Sequence, residues 1–163
     1  MSLLVPGRLY CLCAAQHCHR CARSAPVLAL AAREVVHVGD GPGGVGVEPY
    51  GDATIGGELL LLCDLSAMPE TVYALLRQRS SGYGRQYPVG ADEPFYYGNH
   101  CRCGVEFHDV SLLSGVGAAF APGDAREAAS VSLERLPTVG AMRFEGGCFH
   151  GAGDLIWRHG RVA

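Results

Sequence analysis

The chain has 163 residues, a formal net charge of −3 at pH 7, and 48% hydrophobic against 18% charged residues. That balance belongs to a folded globular protein and excludes a disordered one, and the length suffices for one apolar core without covalent staples. Every basic side chain is arginine, and with no basic run in a net acidic chain the electrostatic footprint of a nucleic-acid binder is missing.

The opening "MSLLVPGRLY" has no basic n-region, no adequate apolar core and no small-residue cleavage site, so it does not read as a secretory signal. The longest apolar runs, "APVLALAA" and "LLLLC", fall far short of the ~20 residues that span a bilayer. The expectation is a cytoplasmic protein without a membrane segment. In that reducing compartment eight cysteines are explained by metal ligation or burial rather than by disulfides.

The first cysteine cluster, "YCLCAAQHCHRCARS", is followed by "PVLALAAREVVHV" (26–38), whose apolar density predicts a buried strand over at least half its length. Residues 39–57, rich in glycine and proline, predict a loop. With no helix behind it to supply amides and a dipole, that stretch does not make a phosphate-binding loop. "ELLLLCDL" (58–65) reads as a short strand or buried turn. "SAMPETVYALLRQRS" carries the clearest helical spacing, with Ser66 as the cap and Pro69 and Glu70 in the first turn.

"RQRSSGYGRQY" interleaves Arg77, Arg79 and Arg85 with Tyr83 and Tyr87. In a net acidic chain it predicts a solvated helix end and loop rather than a base-stacking surface. "EPFYYGNHC" and "VEFHDVSLL" predict two strands joined by a turn at 101–104. Beyond the break at Pro122 and Gly123, "ASVSLERL", "AMRFEGG" and "DLIWRHGRV" predict further short strands. The fold expected is α+β: a mixed or antiparallel sheet, one principal helix and a zinc-ribbon-like pair of knuckles, in a single domain over 1–163.

Cys18 and Cys21 are spaced C-x-x-C, which aims two thiolates at one ion while the turn's amides donate to sulfur. A tetrahedral structural zinc needs a second such contribution, and "HCRCG" offers Cys101 and Cys103, with Gly104 free to take a left-handed backbone. Because Cys101 and Cys103 are only two apart, the second turn is tighter, and His100 stands as a substitute ligand, leaving four thiolates, three thiolates with an imidazole, or no zinc. Cys11 and Cys13 are read as small buried hydrophobes, with alternative ligation open. Cys63 is read as core, and Cys148, with His150 nearby, lacks identifiable co-ligands. His108 and Asp109, if both on a strand, point to opposite faces and make no acid–base pair; Asp109 is expected to anchor a turn or pair with arginine. His17, His19, His37 and His159 are read as exposed or structural.

The segments "CHRCARSAPVLALAA" (18–32), "LCDLSAMPETVYALLRQRSSGYGRQY" and "YYGNHCRCGVEFHDVSLLSGVGAAFAP" (96–122) together resemble an uncharacterised family of small bacterial zinc-binding proteins. In that family a "CWKC"-like pair precedes "PVVALAA", and a later segment reads approximately "YYxNHCPHCGAxQGDFFLH" before "GGAFFP". The resemblance covers residues 8–122, with 123–163 expected to add strands to the same core. It implies zinc at Cys18, Cys21, Cys101 and Cys103, with Asp109 at the place of the family's aspartate. Two departures stand out: the second knuckle is one residue short, and His108 replaces the glycine before Asp109.

The function expected is non-enzymatic: a structural four-cysteine Zn2+ site that clasps two distant segments and presents a surface to an unidentified protein partner. A zinc-dependent hydrolase with an open metal position and a thiol redox switch are the alternatives.

Overall fold

The computed structural model describes residues 1–38, 47–50, 58–87 and 95–163, with 47–50 described as backbone only. The fold is α+β. A nine-stranded sheet runs in the order β12-β10-β2-β3-β6-β11-β1-β4-β5, its strands being β1 (Ser2–Val5), β2 (Leu9–His17), β3 (Ser24–Ala32), β4 (Val35–Val38), β5 (Val47–Tyr50), β6 (Leu60–Ala67), β10 (Ser132–Arg135), β11 (Met142–Phe149) and β12 (Arg161–Val162). Apart from the parallel pair β10 and β12, its neighbours are antiparallel. A smaller antiparallel sheet holds β7 (Tyr83–Gln86), β8 (Tyr96–His100) and β9 (Glu106–Phe107).

The continuous apolar runs have a direct cause: the large sheet is buried on both faces, so alternate residues of one strand enter different cores. Leu28, Leu30, Leu60 and Leu62 join Val72, Leu76 and Phe144 in one cluster, while Val27, Ala29, Ala31 and Leu61 join Leu112, Phe120 and Ile156 in the other. Val72 and Leu76 are the buried positions of α1 (Glu70–Arg79), at the i, i+4 spacing of one helix face. Its N-cap is Pro69, not Ser66, which is still within β6.

Four further expectations are corrected. "HDVSLL" is α2 (Asp109–Leu113), not strand: Leu112 and Leu113 are both buried while Val110 is 72% exposed, a pattern no half-buried strand gives. "DLIWRH" is α4 (Gly153–His159), whose Ile156 is buried and whose Trp157 meets Tyr10 edge-on at 5.4 Å between ring centres. Between them α3 (Ala125–Ala128) is capped by Asp124, which accepts from the Glu127 amide. The stretch expected as a helix end and loop contains β7, and Tyr83 is buried there rather than offered for stacking. Of the loop expected over 39–57, residues 47–50 form β5 and the rest lie outside the described residues, as do Glu93 and Pro94 of "EPFYYGNHC".

Candidate metal centre

Two hairpin tips carry the four cysteines. The first joins β2 to β3: the Cys18 amide donates to the Arg23 carbonyl at 2.9 Å and the Ala22 amide to the Cys18 carbonyl at 2.8 Å. The second joins β8 to β9: the Cys101 amide donates to the Val105 carbonyl at 2.8 Å and the Gly104 amide to the Cys101 carbonyl at 2.9 Å. In each, the residue after the second cysteine has a left-handed backbone, Ala22 at φ 54° and Gly104 at φ 86°. The C-x-C tip is thus the C-x-x-C tip with one residue removed and the same closing bond kept.

Asn99 sets the two tips against each other. Its Nδ2 donates to the Leu28 carbonyl and its Oδ1 accepts from the Leu28 amide, both at 2.8 Å, so the side chain fills the place of a missing neighbour strand beside β3. Gln86 Nε2 donates to the Asn99 carbonyl at 2.7 Å from a fully buried position. Gly98 admits that amide, since a Cβ there would stand 2.6 Å from Gln86 Nε2. Nothing in the sequence marked Asn99, although it is the chain's only asparagine and sits two residues before Cys101.

The four Sγ atoms lie within 4.8 Å of one another, and both the Cys18–Cys103 and Cys21–Cys101 separations are 3.6 Å. A regular tetrahedron of sulfurs around zinc has edges of roughly 3.8 Å, given metal–sulfur bonds of about 2.3 Å. The donor set therefore has the size and softness of a closed four-sulfur shell and could hold a metal ion. His100 is not part of it: its Nδ1 lies 3.2 Å from the Gly82 carbonyl and its Nε2 3.9 Å from Glu106.

The electrostatics agree with the geometry. The Cys21 amide, then the Arg20 amide and the neighbouring thiols, outweigh burial and pull the Cys18 thiol down to about 6. At Cys101 the Cys103 amide also pulls down, but burial and the three surrounding thiols prevail and push it up to about 11. Four thiols this close cannot all ionise without a cation among them.

The other candidates are dispersed. Cys11, on β2, is buried and its thiol is pushed up to about 12 by desolvation, that of a small core hydrophobe; Cys13 is raised for the same reason. Cys63 is half-buried on β6, also pushed up to about 12 by desolvation. Cys148 lies 3.6 Å from His37 Nε2 rather than beside His150, which faces Glu58. Asp109 anchors a turn: its Oδ2 accepts from the Asp64 amide at 2.7 Å, where Asp64 has a left-handed backbone. His108 meets the Tyr96 hydroxyl at 2.7 Å.

No protein-family model matches the chain, and neither curated proteins nor solved structures give a match. Among the described residues no helix is long and apolar enough to cross a membrane.

Proposed function

We propose that the protein is a non-enzymatic zinc-binding protein in which Cys18, Cys21, Cys101 and Cys103 form a structural centre that clasps the β2–β3 and β8–β9 tips like the knuckles of a zinc ribbon. The supporting observation is the convergence of four sulfurs, from segments far apart in the chain, to tetrahedral spacing. Four thiolates complete the shell of a zinc ion and leave no position for an activated water, which sets this reading above a metallohydrolase. The role is then to fix the relation of the two hairpins and hold a surface in shape for a protein partner. The resemblance to small bacterial zinc-binding proteins belongs to the same reading, as does a cytoplasmic setting in which the thiols stay reduced.

The test is zinc stoichiometry together with thiol titration on protein purified under reducing conditions. One zinc per chain, four thiols protected until a chelator is added, and a loss of thermal stability on chelation are expected, since thiolate ligation is coupled to folding. Absence of zinc with ready formation of disulfides between the tips would replace the clasp with a redox pair.

A further inference from the structure

Beside the metal centre runs an open groove of about 1040 Å³, lined by Cys21, Cys101 and Cys103, by residues 80–82 and by the start of β3. Among the described residues three arginines line it, Arg23, Arg79 and Arg102, with His100, and no carboxylate does. Arg79 is held by Glu134 of β10 and by the Leu75 carbonyl. The side chains of Arg23 and Arg102 are exposed, and no described residue hydrogen-bonds or ion-pairs with either guanidinium. In a protein of net charge −3 this is a local reversal of sign.

The groove also contains a free strand edge. The Arg23 carbonyl accepts from the Cys18 amide on the β2 side, while Leu28 turns both its amide and carbonyl to Asn99 on the opposite side. Backbone groups alternate sides along a strand, so those of Ser24 and Pro26 point away from β2, as Leu28's do. β6 pairs with β3 only from Leu30 to Ala32, so among the described residues no strand covers that edge at Ser24 and Pro26, which are exposed and line the groove. Among the described residues the Ser24 amide and carbonyl and the Pro26 carbonyl have no partner on that side, which leaves them for a chain outside the fold. Proline, having no amide to leave unpaired, suits such an edge.

We propose that this groove takes an acidic segment of a partner protein, laid in extended form along the free edge of β3 with its carboxylates on Arg23 and Arg102. Main-chain bonds to a sheet edge give affinity and side chains read alternate positions, which is the physics of strand addition. A site this open buries too little of a small molecule to favour one. The inference rests on the reading of the centre as a clasp, because both arginines sit on the tips that it joins. Four thiolates and a divalent cation sum to two negative charges, so the arginines also face the centre, and the test separates the two roles.

Fluorescence anisotropy would be measured for the protein as purified, with its zinc content determined in the same samples. The probes are a labelled octapeptide alternating threonine and glutamate, its glutamine counterpart, the glutamate peptide N-methylated along its backbone, and a single-stranded oligodeoxynucleotide of equal charge. Expected are binding of the glutamate peptide that weakens with salt, at least tenfold weaker binding of the glutamine peptide and of the N-methylated one, and weaker binding of the oligonucleotide. Arg23→Gln and Arg102→Gln should each cost about tenfold and leave zinc content and melting temperature unchanged. Equal binding of the glutamine peptide, undiminished binding of the N-methylated one, or tighter binding of the oligonucleotide overturns the proposal, as does loss of zinc from either arginine variant. A protein that holds zinc and ignores the glutamate peptide refutes the groove alone. A protein that binds the peptide without zinc refutes the clasp alone, and one that does neither refutes both.

Discussion

Replacing Asn99 by leucine tests how the two cysteine tips are held in register. Asn99 is 1% exposed and Leu28 is 2% exposed, so the variant leaves the Leu28 amide and carbonyl without partners inside the protein. Each such orphaned group costs about 1–3 kcal/mol. A better-buried leucine returns about 1 kcal/mol of apolar transfer, leaving a net loss of about 1–5 kcal/mol. Against a typical stability of about 5–15 kcal/mol this is large. It is read from urea unfolding of the zinc-loaded protein, with and without a chelator, beside the rate of zinc release to a chromophoric chelator. Both a lower midpoint and faster release are expected, since β8 loses its bond to β3 two residues before Cys101. Asn99→Asp should also destabilise, because it sets an anion against the Leu28 carbonyl. A leucine variant within about 0.5 kcal/mol of the parent refutes the account of Asn99 as the clamp.

The remaining expectations concern single sites. Ala22→Gly should stabilise the protein by about 1 kcal/mol and Gly104→Ala should destabilise it by a similar amount, because both positions have left-handed backbone; paired thermal melts decide it. Cys21→Ser or Cys101→Ser should lose zinc and thermal stability together, whereas Cys148→Ser should keep the ion; elemental analysis of each variant checks this. Burial raises the Asp109 carboxyl from 3.8 to about 6 against the pull of the Asp64 amide, so the folded state binds a proton that the unfolded state has released. Stability from this group is therefore full below about pH 4 and lost as pH rises to about 6. Asp109→Asn should gain on the parent across that window, by roughly 3 kcal/mol at neutral pH, in urea unfolding repeated along the pH series. An unchanged difference between the two proteins at every pH contradicts it.

The parts of the molecule legible in the sequence are those set by local spacing or by composition. A C-x-x-C pair constrains its own turn, and the glycine after Cys103 signals the left-handed residue found at φ 86°. "PVLALAA" and "LLLLC" are apolar at every position because both sheet faces are covered, which makes β3 readable as a buried strand and leaves β6 readable as a short strand or a buried turn. The helix α1 announced itself by i, i+4 spacing. The short helices did not: five or seven residues hold too few turns for a period to show, and Val110, Ile156 and Trp157 have strand-like preferences that packing overrides. Ser66 looked like a cap because it precedes the helix, yet β6 extends to Ala67 and Pro69 opens the turn. The clamp between Asn99 and Leu28 joins residues 71 apart, and no local pattern encodes which backbone an asparagine will meet. His100 was a plausible ligand by position alone; the Gly82 carbonyl and Glu106 hold it elsewhere.

The most direct test of the metal centre is X-ray absorption at the zinc edge on protein purified under reducing conditions. The account predicts one zinc per chain with a shell of four sulfurs at about 2.3 Å and no nitrogen or oxygen ligand. A nitrogen or water in the shell, or protein that folds with no zinc at all, would contradict it.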